Sequence, residues 1–406
     1  MKVLNEKMKK TLNIVVYDNS GHPFQVQLSR QIADLGHDVT HIYSKSFNTP
    51  QGNLIVQEND PPSFEIVGIE LKESIAKYKF IKRKFQERSF AKLVILELAR
   101  LKPDIIICSN VPLDTLSLVQ KYCKSKNIKF LTWVQDIYSK AIKNYFDKKN
   151  KLFSYLVYNY YRTMESKIFK KSDNCISISN DFNPILIEMG VKKENICVIE
   201  NWANLDEISI KDKVNHWSIK EQLDKTFNFC YTGTMGLKHN PDLIVALSQH
   251  FKNPDINIFV TSQGIGATYL QKKKDELNLN NLILLPFQDY RQYSNVLASA
   301  DVLVAVLEKE AGILSVPSKI LSYHCAKRPI LAAMPLANLA SKILINNNSG
   351  LVSDTDDIAS FISNAEELYN SPNLREEIGI NAVRYANEKF NIKIIANKFL
   401  KIIHKI

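Results

Sequence analysis

The chain has 406 residues, more than the roughly 250–300 at which a single hydrophobic core stops growing, so two domains are expected. Apolar residues make up 45% and charged residues 23% of it, which excludes an intrinsically disordered chain, a collagen and a long coiled coil. The net charge is +11, with 31 basic against 21 acidic side chains in residues 1–200 and 22 against 21 in residues 201–406. This regional excess favours an anionic partner for the first half. The alternative is that an AT-biased genome has enriched the protein in lysine without any role in binding.

The six cysteines stand singly, without a Cys-x-x-Cys pair, which argues against disulfides and a structural zinc site. No stretch approaches the ~18–20 consecutive apolar residues of a membrane-spanning helix. Residues 1–12 are polar and lack the apolar core of a signal peptide. We therefore expect a cytoplasmic protein that is at most peripheral at the inner face of the cell membrane.

Along residues 1–200, short apolar runs rich in Ile and Val alternate with amphipathic stretches, which predicts parallel strands joined by helices. The predicted strands are Leu12–Tyr17, Val39–Tyr43, Asp104–Cys108, Ile128–Val134, Cys175–Ser179 and Ile196–Glu200. Strands of this apolar kind are covered by helices on both faces of their sheet. Residues 1–200 are therefore predicted to be one doubly wound, Rossmann-like α/β domain.

The segment from Lys72 to Lys92 interleaves basic side chains with aromatic and aliphatic ones. Such a helix can lie in the interface of an anionic membrane, and a second lysine group from Lys140 to Lys151 supports this reading. An ordinary solvated helix is the alternative. Nucleic-acid binding is not expected, because the chain shows none of the small recognition modules.

The second half repeats the alternation after a polar segment, residues 201–226, that is predicted to be a linker. Its predicted strands are Phe227–Thr232, Ile256–Thr261, Leu282–Leu285, Val302–Val306 and Ile330–Ala333. Residues 227–385 are thus predicted to form a second Rossmann-like domain, facing the first across a cleft that binds ligand. Residues 386–406 are predicted to form a helix that packs back on the first domain.

Two loops in the first half place polar groups after predicted strands. Gly21 lies where a strand turns into a helix whose N-terminal amides can meet an anion or a sugar hydroxyl. This loop lacks the G-x-G-x-x-G fingerprint of a nicotinamide dehydrogenase. Gln135 and Asp136 follow the strand that ends at Val134, and Asp136 is a candidate to orient a substrate hydroxyl or to act as a base. A structural Asp that caps a helix is the alternative.

Two basic loops in the second half suit a nucleotide diphosphate. The first holds Gly233 and Thr234 ahead of Lys238, so the backbone can approach a ligand closely beside a cationic side chain. Its spacing excludes a P-loop. In the second, a proline starts a helix and leaves the amides of Ser318 and Lys319 free to face an anion, with the Lys319 ammonium adding charge.

In this order the segments resemble the family 4 glycosyltransferases of the GT-B fold, especially those that assemble bacterial surface polysaccharides. The likeness covers most of the chain. The segments that carry it are Gly36-His37-Asp38-Val39-Thr40 for the G-H-x-V-T strand entry, Gln135-Asp136 for the Q-D pair of a subgroup, Thr232-Gly233-Thr234-Met235-Gly236 with Lys238 for the donor-phosphate loop, and Val316-Pro317-Ser318-Lys319 for the donor-site helix.

The donor half departs from the family pattern at one motif. Many members carry two glutamates in an E-x7-E pattern, and the second usually contacts the donor ribose. Those positions fall on Leu314 and Ser322 here. Glu308 and Glu310 lie nearby with a different spacing, and Glu310 is the candidate substitute. The donor base is expected to meet backbone around Phe287.

The resemblance implies a hexosyl- or N-acetylhexosaminyl-type enzyme that transfers a sugar from a nucleotide-diphosphate sugar to a lipid-linked or polysaccharide acceptor in bacterial surface glycan biosynthesis. A UDP-sugar is the expected donor, with retention of configuration and with no metal or cofactor. The implied catalytic residues are Asp136 and Gln135, and the implied donor-binding residues are Gly21, Gly233, Thr234, Lys238, Ser318, Lys319, Glu310 and Phe287.

Two alternatives remain open. A non-catalytic GT-B scaffold that has lost donor binding is favoured by the missing glutamates. A sugar-nucleotide 2-epimerase shares the architecture but needs paired carboxylates and a histidine, for which Asp136 with His22 is a thin set.

Overall fold

The chain folds into two units, each built on its own sheet. The computed structural model describes residues 10–46, 51–73, 80–147, 151–236, 239–309 and 317–406. Unit 1 comprises Met1–Glu200 together with Ile392–Ile406, and unit 2 comprises Asn201–Asn391.

Unit 1 contains a seven-stranded sheet in which every neighbouring pair is parallel. Its strands are β1 Asn13–Asp18, β2 Asp38–Ser44, β3 Phe64–Ile69, β4 Ile105–Ser109, β5 Lys129–Val134, β6 Asn174–Ser177 and β7 Ile196–Val198. The strand order is β3-β2-β1-β4-β5-β6-β7. All five residues of β4 are buried, as expected for a central strand of a parallel sheet with helices on both faces.

The helices of unit 1 join these strands in the crossover pattern of a doubly wound sheet. They are α1 Pro23–Asp34, α2 Phe80–Leu101, α3 Leu113–Ser125, α4 Tyr138–Asp147, α5 Lys151–Lys171, α6 Asn183–Glu188 and, from the end of the chain, α15 Ile392–Ile403.

Unit 2 contains a six-stranded sheet, again with every pair parallel. Its strands are β8 Phe227–Thr232, β9 Ile256–Thr261, β10 Leu282–Leu285, β11 Val302–Val306, β12 Ile330–Ala333 and β13 Gly350–Ser353, in the order β10-β9-β8-β11-β12-β13. Its helices are α7 His216–Lys220, α8 Asp242–His250, α9 Ile265–Leu277, α10 Tyr293–Ala298, α11 Ser318–His324, α12 Leu339–Asn346, α13 Ile358–Asn370 and α14 Pro372–Lys389.

Residues 201–226, which the sequence predicts as a linker, lie within unit 2 and pack against its sheet. Trp217 of α7 is buried, and its ring centroid lies 5.7 Å from that of Phe259 on β9. Asn215 caps α7 in a reciprocal capping box with Ser218. The polar composition of the segment therefore reflects capping and surface positions around two buried tryptophans, Trp202 and Trp217.

The order of strands reverses once in each sheet. In unit 1 the chain builds β1, β2 and β3 toward one edge and then returns past β1 to form β4. In unit 2 it builds β8, β9 and β10 and returns past β8 to form β11. At such a reversal the loops after the two adjacent strands diverge and leave a crevice, where open α/β sheets bind ligands. Ligand sites are therefore expected at the loops after β1 and β4 in unit 1 and at those after β8 and β11 in unit 2.

Helix α15 belongs to unit 1 although unit 2 precedes it in the sequence. It packs on α1, and its Phe399 ring centroid lies 4.8 Å from that of Trp133 on β5. Both side chains are buried. No helix in the described part of the chain is long and apolar enough to cross a bilayer.

Candidate active site

The crevice of unit 1 is centred on Asp18, the last residue of β1, whose side chain is wholly buried. Its carboxylate accepts hydrogen bonds from the amides of Ser20 at 3.0 Å and His22 at 2.5 Å. The side-chain amide of Asn110, which follows β4, lies 3.5 Å from the same carboxylate. The loops that diverge at the strand reversal are thus held together by one acidic group.

His22 forms the solvent-facing part of this cluster. Its Nδ1 lies 3.5 Å from Asp18, and its side chain is 31% exposed. Burial acts to lower the pKa of His22, but Asp18 and then Asp136 outweigh it, so the pKa is raised. Burial likewise acts to raise the pKa of Asp18, but His22 outweighs it and the pKa is lowered. The pair therefore favours an imidazolium beside a carboxylate, with one face open to solvent.

Gln25, in the first turn of α1, completes the support of Asp18. With its amide oriented to satisfy both ends, its nitrogen donates to the two oxygens of Asp18 at 2.5 and 2.7 Å, and its oxygen accepts from the Ser109 hydroxyl. Gln25 is fully buried. This network stabilises Asp18 as an anion inside the protein, which an isolated buried carboxylate would not allow.

Gly21, predicted to touch the donor, shapes the same loop. It is buried, and its φ of +73° lies in the left-handed region that glycine adopts freely. A Cβ at this position would lie 2.7 Å from the Leu54 side chain. Its carbonyl accepts from the Gly52 amide at 2.9 Å. In unit 1 the glycine therefore lets the loop present His22, and its contact with the donor stays a prediction.

Gln135 and Asp136 follow β5, next to β4 in the sheet, and both are half-buried. The electrostatic effect of Asp136 on His22 brings it into the same cluster. The amides of Tyr138 and Ser139, which begin the next helix, donate to the buried carboxylate of Glu165 at 2.7 and 3.2 Å. The Glu165 carboxylate therefore caps the start of this helix.

The crevice of unit 2 begins with the loop after β8. Gly233 has a φ of +103°, a conformation that other residues adopt only with strain. Its amide donates to the Thr261 carbonyl at 3.1 Å, and its carbonyl accepts from the Ser262 hydroxyl at 2.8 Å. Thr234 follows with its side chain exposed. The loop is therefore held from below by the end of β9 and leaves its other side accessible.

Lys319, on α11, lies against this loop. A Cβ built on Gly233 would lie 3.8 Å from the Lys319 Nζ, and that Nζ lies 3.3 Å from the centroid of the Tyr231 ring. The Tyr231 hydroxyl donates to the Thr234 carbonyl at 3.3 Å. A cation resting on an aromatic face is attracted to it. Tyr231, which sequence reasoning missed, therefore connects the glycine loop and the lysine.

Of the remaining predicted donor-binding residues, two lie within the described part of the chain and two do not. Ser318 is the first residue of α11 and is exposed. Phe287 is half-buried in the loop after β10, where the neighbouring Gln288 accepts from the Trp217 indole at 3.0 Å. Lys238 and Glu310 lie outside the described residues.

Two family models together match most of the chain. The model described as Glycosyltransferase Family 4 matches residues 25–207, and the model described as Glycosyl transferases group 1 matches residues 214–385. The chain belongs to the family 4 glycosyltransferases. The predicted fold class, two doubly wound Rossmann-like domains of the GT-B type, is confirmed by its two parallel sheets and by the solved structures that it resembles.

This glycosyltransferase is 26% identical over 266 residues to an uncharacterised glycosyltransferase of Methanocaldococcus jannaschii, and the match spans 64% of each chain. It resembles the structure of Anabaena HepE in complex with UDP and glucose, with a TM-score of 0.72 at 13% identity, over 97% of this chain and 100% of the other. It also resembles WaaG, a glycosyltransferase of lipopolysaccharide biosynthesis, with a TM-score of 0.68 at 15% identity, over 96% and 99% of the two chains.

The sites of this glycosyltransferase were only partly visible in its sequence. Asp18 and Asn110 were not singled out, and His22 was weighed only as support for an epimerase. One signal could have found Asp18, because an acidic residue that directly follows the apolar run of a strand lies at the edge where parallel sheets bind ligands. Asn110 comes into the site only through the strand order.

Proposed function

We propose that this glycosyltransferase transfers a hexosyl or N-acetylhexosaminyl group from a UDP-sugar to a lipid-linked or polysaccharide acceptor of a bacterial surface glycan. We further propose that transfer retains the anomeric configuration, needs no metal, and takes place at the cytoplasmic face of an anionic membrane. The structures of HepE with UDP and glucose and of WaaG from lipopolysaccharide biosynthesis support the choice of donor and of acceptor class.

The observation that carries the proposal is the Lys319 ammonium held against Gly233. A nucleoside diphosphate leaves with charge developing on its phosphate oxygens, and a cation fixed beside a backbone that a ligand can approach closely stabilises that charge. The loop stands at the strand reversal of unit 2, where a ligand of an α/β sheet is expected. Lys319 therefore acts as the electrostatic stabiliser of the departing diphosphate.

The cluster in unit 1 suits the sugar and the acceptor. Burial acts to lower the pKa of His22, but Asp18, 3.5 Å from its Nδ1, raises it, so the protonated ring can donate a hydrogen bond to a sugar or acceptor hydroxyl. Asp136, half-buried at the end of β5, offers a carboxylate that can accept a hydrogen bond from the attacking hydroxyl. His22 in the loop after β1 would thus donate a hydrogen bond, and Asp136 in the loop after β5 would accept one.

The test is a donor screen with the full chain. Thermal unfolding is followed with UDP-, GDP- and dTDP-sugars, and a donor at ~100 times its dissociation constant should add about 2.7 kcal/mol to the free energy of unfolding. Transfer to an acceptor follows, with NMR of the anomeric proton in the product. Stabilisation by a UDP-sugar and a retained anomer support the proposal.

Other results would overturn it in separable parts. Stabilisation by a GDP- or dTDP-sugar refutes the donor base, and an inverted anomer refutes retention. If no donor stabilises the protein and none is consumed, the chain is the non-catalytic scaffold. Conversion of a UDP-sugar to its 2-epimer without any acceptor identifies the epimerase.

A further inference from the structure

A basic groove lies between α3 and α5 of unit 1. Its volume is about 860 Å³, and two buried side chains of its lining, Phe130 and Ile168, are apolar. Five lysines and one aspartate also line it, namely Lys121, Lys124, Lys129, Lys167, Lys171 and Asp173. The groove thus combines an apolar part with a strongly positive rim.

The single acid does not balance this charge. The Asp173 carboxylate accepts from the Phe130 amide at 2.8 Å and lies 3.3 Å from the Lys129 Nζ, so its charge is already engaged. The other four lysines are exposed, and within the described ranges none of them forms an ion pair. Lysines clustered without acidic partners attract a phosphate-bearing anion.

The same face of α5 is apolar near its other end. Leu152, Leu156, Tyr160, Lys167 and Lys171 follow one another at intervals of four or seven residues, which places them on one side of a helix. Leu152 is 74% and Leu156 60% exposed. One helix face therefore passes from uncovered leucines to uncovered lysines.

Helix α2 continues this surface. The Lys84 Nζ lies 4.4 Å from the centroid of the Tyr160 ring and donates to its hydroxyl at 3.1 Å. Two turns of α2 present Ile81 and Phe85 to solvent, at 73% and 65% exposure. Large apolar side chains clustered beside lysines are typical of protein surfaces that lie in a membrane interface.

The groove lies away from the active site, whereas the apolar end of the same surface lies on the side of the active site. Lys129 begins β5 and Asp136 follows its end, so the sheet separates the groove from the active-site cluster by ~20 Å of strand. Because α5 precedes β6 in a parallel sheet, it runs opposite to the strands. Its leucines therefore lie toward the carboxyl edge of the sheet, on the side of Asp18 and Asp136.

We propose that this groove binds the phosphate head group of an anionic bilayer lipid while Leu152, Leu156 and Phe85, farther along the same surface, enter the interface. A bilayer is the occupant that fits, because a soluble phosphate would engage the lysines and leave the leucines in water. The inference rests on the membrane location in the proposed function and does not depend on sugar transfer.

The experiment measures partitioning of the full chain onto vesicles of phosphatidylcholine with an equal part of phosphatidylglycerol, and onto phosphatidylcholine alone. Binding is expected only to the mixed vesicles and should weaken with salt. The triple variant Lys124→Glu, Lys167→Glu, Lys171→Glu should bind roughly 100-fold more weakly. The double variant Leu152→Ser, Leu156→Ser should bind at least ~10-fold more weakly.

Matched variants separate location from composition. Lys393→Glu, Lys398→Glu, Lys401→Glu changes the net charge equally on exposed positions of α15, and Leu336→Ser, Ile345→Ser removes two half-exposed apolar side chains from unit 2. Both should bind vesicles as the wild type does. An equal loss in the α15 variant would mean that net charge alone drives binding, which refutes the groove.

Three further results would overturn the inference. The first is that the protein binds neither kind of vesicle. The second is that inorganic phosphate competes for the protein as strongly as the mixed vesicles do. The third is that the protein is a dimer which the leucine variant dissociates. Stabilisation by a donor sugar is measured in parallel. If it persists while vesicle binding is missing, the membrane surface is refuted and the transfer proposal stands.

Discussion

Replacing Lys319 with Met tests the electrostatic core of the proposed mechanism, because it keeps the length of the side chain and removes its charge. A unit charge 4 Å from a phosphate oxygen is worth about 4 kcal/mol at an effective dielectric constant of ~20. Losing one such stabilising group at a developing charge costs about 10²–10³ in kcat. The cation–π contact with Tyr231 contributes about 0.5–2 kcal/mol to stability. We therefore expect ~100-fold slower turnover in a protein that remains folded.

The assay is the initial rate of donor consumption at saturating acceptor, with thermal unfolding measured on the same samples. Lys252→Met is the matched control, because Lys252 is an exposed lysine of unit 2, and it should turn over at the wild-type rate. Turnover of Lys319→Met within about threefold of the wild type, in a folded sample, would remove Lys319 from the mechanism.

Three further predictions concern the loops. Gly233→Ala forces a Cβ onto a φ of +103° and should lower the stability by about 1–3 kcal/mol and weaken donor binding. Gly236→Ala, where a Cβ meets no atom of the described residues within 4 Å, should do neither. Equal effects of the two changes in donor titration would contradict the strain argument. Glu165→Ala uncaps buried amides and should lower the free energy of urea unfolding by about 2–4 kcal/mol, and a change under ~0.5 kcal/mol would refute its capping role. Burial acts to lower the pKa of His22 but Asp18 outweighs it and raises it, so the stabilisation from the pair is fully present below the unfolded pKa and is lost as the pH rises through the folded one. The stability gap between wild type and His22→Gln should thus be larger at about pH 6 than at about pH 9, and a gap that is constant across this range would refute the ion pair.

The central strands of both sheets could be predicted from sequence because they are buried on both faces and read as continuous apolar runs. The central strands β8, β9, β11 and β12 were predicted with the bounds that the structure shows, and so was the edge strand β10. Two edge strands, β3 and β13, were missed, whereas the other two edge strands, β7 and β10, were predicted. The residues of β3 and β13 are mostly half-buried, so their apolar pattern is short and interrupted. These two strands are specified largely by their neighbours, which a local pattern does not contain.

The candidate sites were harder to predict for a related reason. Gly233 and Lys319 were chosen from their own loops, but their proximity depends on β8 and β11 being neighbours although two strands separate them in sequence. The part played by Tyr231 follows only from that proximity. In unit 1, Asn110 meets Asp18 across 92 residues of sequence. The residue types indicated the kind of chemistry, whereas the strand order determines which residues lie together in one site.

The position of α15 has a consequence for the synthesis of the protein. Domains generally fold as units, starting with the N-terminal one while the chain is still being made. Here α15 leaves the ribosome only after all of unit 2, residues 201–391. Until then Trp133 and the α15-facing side of α1 are uncovered, so unit 2 can reach its final packing before unit 1. The nascent chain therefore keeps an open apolar surface on unit 1 until α15 has been made.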